Sequence, residues 1–239
     1  MTQAPPRIPL RTPLPTASTC LATARNWVGE GSYARVYRGV WGPGGTECAL
    51  KAAKGEVSGA GQRLAAEREL LTAVVHARLV RLYDYGEHAG APFLVLEWLE
   101  GETLADILAR DRRLPLRRAL EVLEGWLEVL AAFESAGKHH GDVRAENGMV
   151  LPARGLVVVD PGAASPEGDG AHSCARDIQA LGAIFHRMLT GEKPEREGLL
   201  RQGAGFSAPV LALWEATRGF APPPARQLAE QVRRVRAAL

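Results

Sequence analysis

The hydrophobic pattern of this chain changes period once, near Gly101, and that change limits the folds open to it. Upstream, short β-prone runs are separated by turns. Residues 33–40 alternate, Trp41-Gly-Pro-Gly-Gly45 turns, and residues 47–52 read as the returning strand. Residues 80–85 and 92–98 add two more strands, joined through Gly86-Glu-His-Ala-Gly90. One helix interrupts them at residues 62–75, with Leu64, Glu67, Leu71 and Val74 on one face. Downstream the pattern is helical. Thr103 with Asp106 forms a helix-starting cap, and residues 116–133 make a long amphipathic helix. Its inward positions are Leu116, Leu120, Leu123, Trp126 or Leu127, and Leu130. Short β segments near 149–151 and 156–159 bracket a turn. Residues 174–189 form an apolar helix carrying Ile178, Leu181, Ile184, Phe185 and Met188, and poorer helices at 209–218 and 225–238 finish the chain. The expected fold class is α+β: an antiparallel sheet of five strands with one helix over residues 23–98, then a mainly helical lobe over 99–239. A hinge lies near residue 99, and the cleft between such lobes is the natural ligand site.

Composition narrows the partners. With 239 residues, the chain suits one two-lobed domain, and a hydrophobic content of 46% fills a real core. A net charge of +2 gives no argument for nucleic acid. The basic end (Arg226, Arg233, Arg234, Arg236) reads as the solvated face of a last helix. Cys20, Cys48 and Cys174 are odd in number and contain no Cys-x-x-Cys pair, so a disulfide framework or zinc site is not expected and a reducing cytoplasm fits. The start lacks the apolar run of a secretion leader, and no stretch reaches the ~18 apolar residues of a membrane span. Residues 1–22, with Pro5, Pro6, Pro9, Pro13 and Pro15, read as a disordered tail that pairs poorly as sheet.

Two separated stretches carry chemistry. The first is Val28-Gly-Glu-Gly-Ser-Tyr-Ala-Arg-Val36, leading to Cys48-Ala-Leu-Lys51. Gly29 and Gly31 form a hairpin tip whose backbone N–H groups can approach phosphate oxygens; taken alone, the same glycines also suit an ordinary hairpin. Lys51 stands in an apolar run, where an unpaired ammonium is costly. Glu67 shares the inward helix face, whereas Glu69 is turned away by about 200° at ~100° per residue. A Lys51–Glu67 pair would present the ammonium to the α- and β-phosphates; the competing reading is a lysine that snorkels to water.

The second stretch is His140-Gly-Asp-Val-Arg-Ala-Glu-Asn147, followed by Val158-Val-Asp160-Pro-Gly162. Asp142 would accept or orient the proton of an acceptor hydroxyl, and Arg144 would neutralise the transferring phosphate. Asn147 would place an amide oxygen on magnesium, with Asp160 as the main metal ligand. A polar turn with Asp142 as a cap is the bland alternative. His140 reads as a packed histidine holding the loop, not as a base.

In these motifs and their order, residues 26–238 resemble the eukaryotic-like serine/threonine protein kinases in their bacterial branch. The resemblance implies a protein-kinase-like two-lobed fold and transfer of the γ-phosphate of ATP, with Mg2+, to protein hydroxyls. It implies that Glu97-Trp98-Leu99 is the hinge holding adenine, with Leu96 guarding the back pocket. Val36, Ala49 and Met149 match the positions that sandwich the adenine ring. Ala175-Arg-Asp177-Ile-Gln-Ala-Leu-Gly182 is similar to the buried helix whose aspartate anchors the catalytic loop, and Met188-Leu-Thr-Gly-Glu-Lys-Pro194 to its exit.

The departures are specific. Ala34 stands where a third glycine is usual. Pro161 replaces the aromatic that would pack between His140 and Leu71. Gly141 replaces an arginine that reads a phosphorylated loop, and Arg144 replaces a lysine, keeping charge but not geometry. Ser165-Pro-Glu167 follows Gly162 almost at once, which leaves no room for a usual activation segment, and Pro222-Pro-Pro-Ala225 lacks the arginine expected to pair with Glu167. Three readings therefore compete: an active protein kinase, a nucleotide-binding pseudokinase scaffold, and a small-molecule kinase of the aminoglycoside or choline type, whose loop also begins His-Gly-Asp.

Overall fold

The computed structural model describes residues 9–10, 22–88, 90–162, 173–192, 205–219 and 221–239. The Ser165-Pro-Glu167 stretch and the Lys193-Pro194 end of the helix-exit motif lie outside the described residues. The chain forms two compact units. One holds residues through Ala73 together with Val80–Leu99; the other holds Val74–Leu79 and Glu100–Leu239.

The first unit is a six-stranded sheet with one helix. In chain order its elements are β1 (Pro9–Leu10), β2 (Ala22–Glu30), β3 (Ala34–Trp41), β4 (Thr46–Ala53), α1 (Ala60–Ala73), β5 (Leu82–His88) and β6 (Ala91–Glu97). The sheet order is β1-β2-β3-β4-β6-β5, and its strand pairs are antiparallel. The four strands located in the sequence are present, and β2 supplies the fifth that the fold class expected. The sixth comes from the proline-rich stretch expected to stay unpaired: Pro9 and Leu10 pair with Thr23 and Ala22. An edge position explains this, because a proline lacking its N–H is tolerated there.

Strand β4 sits inside the sheet and its alternation sorts the chemistry from the core. Cys48 and Leu50 point to one face, where they pack with Tyr37, Phe93 and Val95 in a buried cluster. Burial pushes the Cys48 thiol up to about 11, as befits a small core residue. Lys51 points to the other face, toward α1, which packs on β4, β5 and β6. That helix buries Ala60, Leu64, Glu67 and Leu71 and leaves Glu69 exposed.

The second unit is mainly helical: α2 (Leu104–Asp111), α3 (Leu116–Ser135), α4 (Cys174–Thr190), α5 (Ala208–Arg218) and α6 (Ala225–Ala237), with a small sheet of β7 (Glu102–Thr103), β8 (Gly148–Leu151) and β9 (Gly155–Val158). Thr103 caps α2 by accepting from the Asp106 N–H at 3.1 Å. Helix α4 starts at the Ser173 cap and stops at Gly191, whose φ of 80° suits glycine. Helix α3 is the hub, packing against α4, α6 and β9. Trp126 and Leu127, alternatives in the periodicity, are both buried, together with Leu120, Leu123, Leu130 and Phe133; each such side chain contributes about 1.5–3 kcal/mol on removal from water. Gly182 is required where α4 meets α5, since a Cβ there would lie 2.1 Å from the Thr217 hydroxyl.

Two further features depart from the sequence reading. Residues 74–79 follow α1 in the chain yet join the helical unit, because Leu79 bridges Val158 and the Val158 N–H donates to the Arg78 carbonyl at 2.7 Å. The guanidinium of Arg78 adds an ion pair to Glu128 of α3 at 2.8 Å. The basic end is also only partly solvated. Arg233 and Arg236 of α6 both bind Glu124 of α3, an acid only 8% exposed, and Arg233 reaches Glu128 at 3.0 Å.

Candidate active site

The first unit builds a buried charge pair. Lys51 is 4% exposed and Glu67 not at all, and Lys51 Nζ lies 2.6 Å from Glu67 Oε2. The snorkelling alternative is therefore set aside. Charges so buried need further hydrogen bonds to offset their lost hydration. Tyr33 supplies them: its hydroxyl accepts from Lys51 Nζ at 2.9 Å and donates to Glu67 Oε2 at 3.1 Å. Sequence reasoning missed this residue, which reads only as the start of a β-prone run. It lies two residues after Gly31, in a turn closed by the Gly31 N–H to the Ala34 carbonyl at 2.9 Å, which no periodicity marks. A Cβ added at Gly29 or Gly31 would meet nothing within 4 Å, so the unit's own packing does not explain these glycines.

Val36, Ala49 and Leu96, three of the residues expected around adenine, share the Lys51 face. Val36 is registered with Lys51, Lys51 with Leu94, and Ala49 with Leu96. Val36 and Ala49 are half-buried and Leu96 is buried. Glu97 ends β6 opposite Cys48, and its N–H donates to the Arg81 carbonyl at 2.9 Å. Leu99 is buried, and Trp98 is fixed by the Arg38 guanidinium 4.7 Å above its ring.

The second unit assembles the other set around His140. Its ring is buried, edge-on to Trp126 and Phe133 at 5.4 and 5.8 Å. The Asp142 N–H donates to Nδ1 at 3.2 Å, so Nδ1 is an acceptor and the proton belongs on Nε2, 3.2 Å from the Val159 carbonyl. Burial pushes the His140 pKa down to about 4, against a smaller opposing effect from that carbonyl. His140 is thus a neutral strut, as its packed reading expected.

Asp177, in the first turn of α4, grips the loop start from outside: its two carboxylate oxygens accept the N–H groups of His140 at 2.6 Å and Gly141 at 3.0 Å. Gly141 has φ of 80°, a left-handed conformation that suits glycine and gives its presence a backbone reason. Beyond it, Asn147 spends its amide N–H groups on the Asp142 carbonyl oxygen at 2.9 Å and on Asp142 Oδ2 at 2.8 Å. Arg144 is exposed, its Nε 3.5 Å from Asp142 Oδ2 and 3.9 Å from Glu146.

Asp160 is tied in from both flanks. The Val159 N–H donates to the Asn147 carbonyl at 2.9 Å and the Gly162 N–H to the His140 carbonyl at 2.7 Å. Asp160 itself has φ of 55°, unusual for a residue without glycine's freedom. A carboxylate and an amide oxygen held on adjoining backbone are hard oxygen donors, a set that fits Mg2+, which keeps waters and substrate oxygens for its other positions. Among the described residues, no group of three or more His, Cys, Asp or Glu could hold a metal. Met149 lies in β8 opposite Val157, half-buried.

The first unit thus brings together Lys51, Glu67, Val36 and Ala49 beside the glycine hairpin, and the second brings together Asp142, Arg144, Asn147 and Asp160. Comparison with known proteins points the same way. The chain is 32% identical over 199 residues to the serine/threonine-protein kinase pkn2 of Myxococcus xanthus, covering 70% of this chain and 24% of that protein. It is 27% identical over 198 residues to the serine/threonine-protein kinase PknA of Mycobacterium tuberculosis, covering 70% and 46%. It is 26% identical over 197 residues to the serine/threonine-protein kinase PknB of Mycolicibacterium smegmatis, covering 70% and 30%. The chain therefore spans about a quarter to about a half of the length of these relatives. The protein kinase domain family matches residues 23–168, more than half of the chain, and with the α+β architecture and the order of its motifs this chain belongs to the protein kinase family.

Proposed function

We propose that the chain is an ATP- and Mg2+-dependent protein kinase that transfers the γ-phosphate to serine or threonine hydroxyls of a protein substrate. The observation that carries the reading is the buried Lys51–Glu67 pair, which an apolar pair of similar volume could replace in packing but not in binding phosphate. Lys51 would face the α- and β-phosphates, with the Gly29 and Gly31 backbone over them. Val36, Ala49 and Met149 would flank adenine, and the backbone of Glu97 and Leu99 would hold its edge. Asp142 Oδ2 is committed to Asn147 and Arg144, so Oδ1 would take or orient the hydroxyl proton. Arg144 would meet the charge of the transferring group. Asp160 and Asn147 would hold magnesium, which supplies charge neutralisation on the phosphate oxygens. Catalysis by such a set is mainly positioning and electrostatics.

A cytoplasmic location fits the free thiols of Cys48 and Cys174. Among the described residues no helix is long and apolar enough to cross a membrane. The test is phosphate transfer from labelled ATP with magnesium to a generic protein substrate. Wild type is expected to transfer, and Asp142→Ala to lose about 10²-fold or more in rate. Nucleotide binding without transfer would select the pseudokinase reading. Transfer to an aminoglycoside or choline in preference to protein would select the small-molecule reading.

A further inference from the structure

The tyrosine next to the glycine turn has a role that the nucleotide reading does not itself assign, and the inference rests on that reading. Tyr33 is 6% exposed and belongs to the hairpin proposed to cover the phosphates. Its hydroxyl, Lys51 Nζ and Glu67 Oε2 close a three-membered ring of hydrogen bonds at 2.9, 3.1 and 2.6 Å. The Tyr33 ring centre also lies 5.0 Å from Lys51 Nζ and 5.8 Å from the Arg63 guanidinium carbon. Two acceptors on Lys51 are thus unlike. Glu67 is charged and close; Tyr33 is neutral and farther. Both bonds from the ammonium are charge-assisted, but only the one to Glu67 joins opposite charges, so an arriving anion displaces the phenol and leaves the carboxylate in place. We propose that the Tyr33 hydroxyl holds, on Lys51, the place that a phosphate oxygen takes when nucleotide binds, which makes Tyr33 a further binding-site residue that sets phosphate affinity.

The sign follows from what removal of the hydroxyl does to each state. In Tyr33→Phe the ring keeps its packing, but the buried ammonium loses an acceptor in the nucleotide-free chain. A bound phosphate restores that acceptor. Calorimetric titration of wild type and Tyr33→Phe with MgATP, and with adenosine, which has no phosphate, tests this. The variant is expected to bind MgATP roughly three- to tenfold more tightly, with adenosine affinity equal in the two proteins. The nucleotide-free variant should also melt lower than wild type, with the gap narrowing at saturating MgATP. In a Lys51→Ala background the same substitution should no longer tighten MgATP binding. Unchanged or weaker MgATP binding by Tyr33→Phe overturns this inference alone, as does an equal gain for adenosine. Failure of both proteins to bind MgATP overturns the nucleotide reading and this inference with it.

Discussion

The two units handle charge in opposite ways. In the sheet unit, Lys51 and Glu67 are removed from water and bound to each other and to Tyr33. In the helical unit, the Asp142 side chain keeps 27% of its exposure and Arg144 keeps 57%; what is buried there is the scaffold beneath them, His140 and Asp177. The sheet can bury a charge because β4 is an interior strand whose side chains alternate between a wholly apolar face and a face covered by α1. The loop cannot, since it has no regular ladder to satisfy its backbone. It uses backbone N–H and C=O groups as its fastenings instead, at His140, Gly141, Asp142, Asn147, Val159 and Gly162. In the sheet unit a buried charge is thus met by an opposite charge, whereas in the loop the buried Asp177 carboxylate is met by backbone N–H groups and the exposed charges rest on that backbone.

The sharpest way to break this contrast is to remove one charge from each unit. Glu67→Ala leaves the Lys51 ammonium buried without its carboxylate, and a loss of about 3–5 kcal/mol in unfolding free energy is expected. Arg144→Ala removes an exposed guanidinium from an ion pair of 3.5 Å and should stay within about 1 kcal/mol of wild type. Denaturant midpoints of the two variants decide it: equal costs would show that the buried pair is no more structural than the exposed one. The double change Lys51→Met with Glu67→Leu should recover most of the stability while abolishing any nucleotide affinity that depends on the ammonium.

Acid sharpens the other side. The folded chain holds His140 neutral, with a pKa of about 4, whereas the unfolded chain offers the ordinary value near 6.5. Between these values the unfolded state binds the extra proton, so stability rises with pH through that window. The contribution is complete above about 6.5 and is lost as pH falls toward about 4, on the order of 3 kcal/mol in all. Melting temperature followed from pH 7 to pH 4.5 should fall steadily, and an NMR titration should keep the His140 ring neutral to below pH 5. A ring that titrates near 6.5 in the native protein would mean that the loop's fastening to His140 is loose.

How much of this was legible in the sequence divides along the same line. The Lys51–Glu67 pair was readable because both halves are local arithmetic: a charge in an apolar strand, and an acid on the buried side of a 3.6-residue repeat. Asp142, Asn147 and Asp160 were readable as polar residues at fixed spacing between apolar segments. What periodicity could not supply was the cross-chain fastening. Asp177 reaches His140 across 37 residues, and only the family resemblance assigned it to the loop. Glu124 sits on the buried side of α3 because Arg233 and Arg236 arrive from α6 more than a hundred residues later. Tyr33 gave no pattern at all, since its partners lie on β4 and α1, and no single element's repeat contains all three.

The glycines offer the smallest effect and the finest test of the contrast. Gly141 sits at φ of 80°, where a Cβ costs about 1–2 kcal/mol, and its N–H is held by Asp177. Gly141→Ala should therefore lose about that much stability, and it should lose transfer activity as well, because relaxing the strain pulls Asp142 out of register with Asn147. Gly31 is the opposite case: its φ lies outside the left-handed region and a Cβ would touch nothing within 4 Å. Gly31→Ala should leave the unfolding free energy within about 0.5 kcal/mol of wild type, or raise it slightly by restricting the unfolded chain. It should nevertheless weaken MgATP binding if the hairpin backbone must approach phosphate closely. Measured side by side, the two substitutions separate a glycine that the fold requires from one that only a ligand requires. Equal stability losses at both positions would collapse that distinction, and with it the claim that the sheet unit's glycine turn is shaped for something other than its own packing.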